Sequence, residues 1–427
     1  MRIGSYTVFE PSRRQAADST AGALIGAACS FIPNVAARAA VGAIGQSLYN
    51  VVADKVSLSQ DPIQPFKNRP LEAQKEQRNR TLLNIAKGAL TGLASSGGWM
   101  SGAAAGLALN TVSLPQQAPV SEAGNVAGLE TMEVPKLWEQ GLTGKGVGVA
   151  VLDTGCAKHP DLEGKVTEFH DFFYKEKEQY DHGFHGTGVC TLLAGSGNGL
   201  NGQVKGVAPD VDLTVLKVTD SDGAVESFEV LKALKWIEEN RERRNLQVVN
   251  MSFGLAEGYG QVNESLGRLA KQGVLISTSA GNTGPKPSAF DPFKASPNLL
   301  TVTSAETAGT IAGEDDTLSS TASRPRLEDK EGPDVSTPGM DLIVGDPGGK
   351  YMRVTDGGTS FASALNSGVM ALWKQALPQI NIEDVEAALK ATSAPLKGAE
   401  SLEQGHGSLR AAQGLEFLKE RLAAQDR

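Results

Sequence analysis

Beyond about Val134 the chain is punctuated by short apolar runs, Gly146–Leu152, Val211–Val218, Leu246–Met251, Val274–Ser279 and Leu299–Thr303. Each is brief and apolar without alternation, the pattern of a strand covered on both faces. Between them, the apolar residues of Val225–Asn240 and Gln261–Lys271 recur three and four positions apart, which predicts helices with one buried face. Strands alternating with helices imply an α/β fold, a doubly wound and mostly parallel sheet flanked by helices. Right-handed crossovers bring the strand ends and the loops after them to one edge.

The first 130 or so residues have another character, rich in Ala, Gly and Ser, with two uncharged stretches, Ser19–Ala37 and Gly88–Val120. Gly, Ser, Thr, Asn and Pro dilute both stretches too far for a membrane span, so helices packed into a small domain or prosegment are expected. Ser12-Arg13-Arg14 ahead of Ala21–Pro33 is like a twin-arginine export signal, but Gln15-Ala16-Ala17 and Asp18 break that pattern. The division expected is an N-terminal part over 1–128 ending in a linker over 111–128, a main domain over 129–416 and a tail over 417–427.

At 427 residues there is room for one large α/β domain and an appendage. A net charge of −9 argues against a nucleic-acid surface as main partner and leaves a protein or peptide substrate open. Cys29, Cys156 and Cys190 cannot form a disulfide framework; Cys156 and Cys190 could approach each other, with buried free thiols the expected state. No Cys/His spacing suggests zinc. Gly144-Lys145-Gly146-Val147-Gly148 resembles a phosphate loop but precedes its strand instead of following it, and Glu238–Arg244 is a solvated helix end.

Chemistry is concentrated in three separated motifs: Val151-Leu152-Asp153-Thr154-Gly155, His185-Gly186-Thr187-Gly188-Val189 and Gly358-Thr359-Ser360-Phe361-Ala362-Ser363. In chain order they supply a carboxylate, an imidazole and a hydroxyl, the parts of a nucleophilic serine site. Asp153 directly follows the first strand, and His185 and Ser360 each precede an apolar helical pattern, so both are expected at helix starts. Unpaired amides and the positive dipole end of a helix suit a nucleophile whose product carries an oxyanion. Among rival histidines, His159 sits in a His-Pro-Asp-Leu turn, His170 in no motif, and His182 lacks the Gly-Thr that follows His185. Asp153 as a turn cap, Ser363 as the serine and Asn282 as a turn residue are the plainer alternatives.

From about Val134 to Leu415 the chain resembles the subtilisin-like, or subtilase, serine peptidase family. Beyond the three motifs, Leu142–Val147, His159-Pro160-Asp161-Leu162, Gly206-Val207-Ala208-Pro209, Val249–Gly254, Ser279-Ala280-Gly281-Asn282, Pro338-Gly339 and Gly405–Leu409 match family segments in order. The resemblance implies a serine endopeptidase that needs no catalytic cofactor, with Asp153, His185 and Ser360 as triad and Asn282 as oxyanion donor. It also implies that Ser252-Phe253-Gly254 forms an edge strand for an extended substrate, with Ala280 and Gly281 also lining the substrate-binding site. Gly254 suggests room for a medium or large apolar residue before the cut. Structural calcium is common in the family, and Asp161, Asp210, Asp212, Asp220 and Asp222 are plausible donors, although solvated aspartates are the default and no metal ligand is assigned.

Family zymogens often carry an inhibitory prosegment, so residues 1–128 are expected to act as an intramolecular inhibitor removed by self-processing, an expectation resting on position alone. The alternatives are a catalytically silent subtilase fold used for binding or scaffolding, an enzyme held inactive by its N-terminal domain, and docking of that domain to a membrane or partner. A secreted or periplasmic location is slightly favoured over a cytoplasmic one. The chain departs from the family at Ala364, usually Pro, at Leu365, commonly His, and at Gly188, often a second His. Ala364 removes a helix-bending proline behind the nucleophile, with a small displacement of Ser360 as the expected cost.

Overall fold

The structure is a computed structural model that describes residues 124–425, except 201, 203, 220–224, 256–258, 289–290, 292, 308–312, 327 and 330. The N-terminal domain, the twin-arginine-like segment and the linker up to residue 123 lie outside the described residues.

In chain order the elements are α1 (Gly124–Thr131), α2 (Val134–Glu139), β1 (Gly148–Asp153), β2 (Val166–Asp171), α3 (His185–Ala194), β3 (Asp212–Lys217) and α4 (Ser227–Asn240). There follow β4 (Leu246–Met251), α5 (Tyr259–Lys271), β5 (Leu275–Ser279), β6 (Leu300–Glu306), β7 (Thr317–Leu318), β8 (Val335–Pro338), β9 (Leu342–Gly345) and β10 (Tyr351–Val354). Four helices close the chain, α6 (Thr359–Ala376), α7 (Ile382–Thr392), α8 (Ser401–Gln404) and α9 (Ala411–Gln425). The main sheet runs β2-β3-β1-β4-β5-β6-β7, with β8 also paired to β6, and only the β6–β7 pair is antiparallel. The order reverses direction at β1, so the carboxyl end of β1 opens onto the crevice where such sheets bind ligands.

Alternate residues of one strand serve opposite cores, which is why the apolar runs do not alternate. Val149, Val151, Leu213 and Val215 join a core with Val189 and Leu193 of α3 and Leu365 and Val369 of α6. Their neighbours Ala150, Leu152 and Leu216 join a second core with Val230, Leu234 and Ile237 of α4 and Val262 and Leu266 of α5. The five strands and two helices expected beyond Val134 all form. β2, β8 and the β9–β10 hairpin were not foreseen, because their residues are mixed in polarity or only four long.

α1 begins inside the stretch assigned to a linker. The Asn125 side chain donates to the Ile343 carbonyl at 2.9 Å and accepts from the Ile343 amide at 2.6 Å, so this helix is stitched to β9. No helix among the described residues is long and apolar enough to cross a membrane.

A buried polar seam locks α6 onto β4 and β5. Asn250 Oδ1 accepts from the hydroxyls of Ser363 and Ser367, both at 3.0 Å, and its Nδ2 donates to Ser252 Oγ at 2.9 Å. Ser252 Oγ in turn donates to the Ser360 carbonyl at 3.0 Å. Asn250→Ala strips the buried Ser367 hydroxyl of its acceptor and takes one bond each from Ser363 and Ser252, and is expected to cost about 3 kcal/mol. The check is a lower urea midpoint with the m-value unchanged.

Candidate active site

β1 delivers Asp153 to the sheet's carboxyl edge, and the turn after it is closed by Gly155 at φ 117, where a Cβ would lie 2.3 Å from the Tyr180 carbonyl. α3 opens on His185 itself, and α6 places Ser360 in its first turn. Both helix starts are where the apolar patterns put them.

His185 Nδ1 lies 2.7 Å from Asp153 Oδ1, which also accepts the Thr154 amide at 2.7 Å. The carboxylate is only 2% exposed and its Oδ2 has no partner among the described residues, so its charge acts on the imidazole nearly unscreened. The imidazole stacks on Phe361, with centroids 5.6 Å apart, and that ring belongs to the residue after Ser360. Gly188 makes room for this contact, since a Cβ there would lie 3.3 Å from Phe361 Cε1.

The Ser360 hydroxyl donates to the Ser252 carbonyl at 3.1 Å rather than to His185. Rotation about its Cα–Cβ bond redirects it, and hydrogen bonds at such sites commonly close only with substrate bound. α6 is unbroken through Ala364, which is wholly buried where the family carries proline.

Asn282 is set by a residue that the sequence did not single out for this task. Its Oδ1 accepts from both the amide and the hydroxyl of Thr359 at 3.0 Å, and the Thr359 hydroxyl accepts from the Gly281 amide at 3.0 Å. With the carbonyl end engaged by an N–H, the amide orientation is fixed and Nδ2 is left as a donor. The Ser360 amide, in the first turn of α6, also lacks an intrahelical acceptor. Two donors thus flank the serine, as stabilisation of an oxyanion requires.

Asp181 is a second carboxylate behind the histidine. It accepts from Thr154 Oγ1 at 2.9 Å, Thr187 Oγ1 at 2.7 Å and the Thr187 amide at 2.9 Å, tying the Asp153 loop to the first turn of α3. Burial alone would lower the His185 pKa, but the charge and hydrogen bond of Asp153 together with the charge of Asp181 outweigh it and leave the pKa raised above 6.5. A general base must be neutral, so kcat/KM is expected to rise with pH through that raised value, with its acid limb above pH 6.5. Asp181→Asn removes one charge that holds the proton and shifts the limb toward lower pH, as kcat/KM against pH would show.

The remaining sequence-derived positions divide clearly. Ser252-Phe253-Gly254 follow the end of β4 outside any strand, so in place of the expected edge strand there is a loop that bends at Phe253, pinned where Thr278 Oγ1 donates to the carbonyls of Met251 at 2.7 Å and Phe253 at 3.3 Å. Ala280 and Gly281 follow β5 on the neighbouring strand. Ser363 faces Asn250 and Ser277 in the buried seam. His159 caps its turn by accepting from the Asp161 amide, His170 lies 3.0 Å from Glu168, and His182 packs against Tyr174 and Tyr180.

Cys156 and Cys190 are free, wholly buried thiols, and a hydrogen bond with Cys156, together with burial, pushes the Cys190 thiol up. Of the aspartates considered for calcium, Asp161 accepts from Ser196 Oγ at 3.1 Å, the Gly199 amide at 3.0 Å and the Tyr351 hydroxyl at 2.7 Å. Asp210 pairs with Lys165 at 3.3 Å and Asp212 is exposed, while Asp220 and Asp222 lie outside the described residues. Among the described residues no group of three or more His, Cys, Asp or Glu side chains is placed to hold a metal.

Known proteins resemble this chain in sequence and in fold. The chain is 33% identical over 273 residues to the serine protease AprX of Bacillus subtilis (strain 168), a match covering 59% of this chain and 62% of AprX, less than two thirds of that relative's length. It is 30% identical over 284 residues to a thermostable alkaline protease of Halalkalibacterium halodurans, covering 66% of this chain and 72% of that protein. Among solved structures, S41 psychrophilic protease superposes with a TM-score of 0.56 at 27% identity, covering 63% of this chain and 92% of its own. Sphericase does so with a TM-score of 0.56 at 25% identity, over the same shares. Residues 144–407 match the subtilase family, Peptidase_S8, as a whole, and with its sheet and its ordered motifs this chain belongs to that family of serine peptidases.

Proposed function

We propose that the chain hydrolyses internal peptide bonds of extended polypeptides through an acyl-enzyme. Ser360 attacks the carbonyl, His185 takes its proton and returns it to the leaving amine, and Asp153 holds the imidazole with Nδ1 protonated. Asn282 Nδ2 and the Ser360 amide receive the oxyanion. The substrate backbone lies between Ser252–Gly254 and Ala280–Gly281 and binds mainly by main-chain hydrogen bonds. The observation that carries this reading is the 2.7 Å contact of buried Asp153 with His185, whose ring packs on the residue beside Ser360. A silent scaffold has no use for an asparagine whose carbonyl is tied back so that its amino group points free.

Precursor processing is part of the proposal, with residues 1–128 as an intramolecular inhibitor and a cut within 111–128. Full-length wild type and Ser360→Ala are incubated side by side, followed by intact mass, digestion of a general protein substrate and labelling with a phosphonofluoridate probe. Truncation, digestion and labelling confined to wild type support the reading. A wild type that neither labels nor digests is the result that sinks it, and a fully active chain that keeps its whole mass refutes obligatory processing.

A further inference from the structure

The two walls of the expected substrate cleft converge on a buried cation. A Cβ built on Gly254 would lie 3.5 Å from Lys294 Nζ, and one built on Gly281 would lie 3.4 Å from the same nitrogen. Since these glycines belong to the loops after β4 and β5, the ammonium sits between the walls. Lys294 is 5% exposed, and among the described residues its ammonium makes no hydrogen bond and closes no ion pair. Buried lysines ordinarily have such partners. Lys217 and Lys374, the other buried lysines among the described residues, each donate to two backbone carbonyls.

The nearby carboxylate is Asp291. Its Oδ1 accepts the Phe293 amide at 3.0 Å, and its Oδ2 lies 2.9 Å from the Cβ position of Gly254. Burial pulls the Lys294 pKa down to about 8, with Asp291 opposing, so at pH 7 the nitrogen is mainly protonated. An unpaired ammonium with so little access to water is costly, and that cost is relieved by a ligand that brings an anionic acceptor.

We propose that Lys294 determines specificity, selecting substrates with an acidic side chain, glutamate foremost, immediately before the cleaved bond. This rests on the reading of Ser252–Gly254 and Ala280–Gly281 as the cleft walls. It replaces the apolar preference that Gly254 alone suggests, because the space beside that glycine is lined by charged groups, with Asp291 Oδ2 at 2.9 Å and Lys294 Nζ at 3.5 Å from its Cβ position. Glutamate is favoured over a basic residue because Asp291 already spends one oxygen on the Phe293 amide, while Lys294 spends none of its donors. A side chain that merely fills volume leaves the ammonium buried and unpaired, and sites of that kind discriminate against ligands lacking the polar partner.

The test uses the active full chain at pH 7 with internally quenched peptides that differ only in Glu, Gln, Lys or Phe before the cut. Active enzyme is counted with a phosphonofluoridate probe. The expected result is kcat/KM for Glu above that for its neutral isostere Gln by about tenfold, a charge-assisted bond's worth of discrimination. In Lys294→Met the Glu-to-Gln ratio falls to about one, whereas Lys294→Arg keeps Glu ahead. Equal rates for Glu and Gln in wild type, a preference for Lys, or an unchanged ratio in Lys294→Met each overturn the assignment while leaving the peptidase reading intact. Cleavage of none of the peptides, with no labelling, overturns both. The wild-type comparison decides by itself if the methionine variant does not fold.

Discussion

Ser360→Ala is expected to lower kcat for peptide hydrolysis by roughly a millionfold, the size known for loss of the nucleophile in subtilisin itself rather than one calculated from this structure. The physical reason is that no other group can take its place. Ser363 is one helical turn away, but its hydroxyl is fully buried and donates to Asn250 Oδ1 at 3.0 Å, on the side of α6 facing β4 and β5. Alanine also removes only the bond from Ser360 Oγ to the Ser252 carbonyl, so the fold should be intact. Residual turnover above the uncatalysed rate, roughly 10³–10⁴-fold, should persist because Asn282 and the Ser360 amide still meet the oxyanion. Steady-state kinetics on a quenched peptide, with an unchanged melting temperature, checks both parts. A loss smaller than about a thousandfold would show that another residue carries the attack.

Asp153→Asn is expected to lower kcat by about 10⁴-fold with little change in KM, again a magnitude known from triads of this kind. The Thr154 amide donates to Asp153 Oδ1 at 2.7 Å, the same oxygen that meets His185. If the new carboxamide keeps its oxygen there, it still accepts from His185 but has lost the charge that stabilises the imidazolium. If it turns its amino group toward Nδ1, it moves the ring proton to Nε2, the nitrogen that must receive the serine proton. Either outcome is damaging, because the site is too buried for water to replace the carboxylate. Removing the main charge that holds the His185 proton should also carry the acid limb downward, the same direction as Asp181→Asn and further. A pH profile of kcat/KM checks the sign, and a limb that stays in place would mean the limb belongs to another group.

Much of this was legible before the structure. The five apolar runs became β1, β3, β4, β5 and β6, because strands covered on both faces have no polar side to hide. The order of the three motifs followed from residue types alone, and a histidine or serine just ahead of an apolar helical pattern must lie at a helix start. β2 and β10 escaped notice because partly exposed strands resemble loops in composition, and β9 because it is only four residues long. Thr359 lay inside a quoted motif, yet nothing in its spacing says that its hydroxyl and amide turn the carboxamide of Asn282, 77 positions away. Asp181 might have been suspected from its place four residues before His185, where a carboxylate suits a helix start. Lys294 carried no signal, since a lysine between Phe293 and Ala295 looks like a surface residue.

By itself, then, the sequence determined the five central strands, two of the flanking helices and which three side chains are candidates for the chemistry, since those depend on hydrophobic periodicity and residue type within short windows. Only the tertiary structure decided which way each group points: Asn282 with its donor end free, Ser360 bonded to Ser252, Gly188 packed against Phe361, and Lys294 lodged between two glycines. Orientation and burial arise where segments remote in the chain meet, and the charge a pocket presents is fixed by which side chains are deprived of water and partners there.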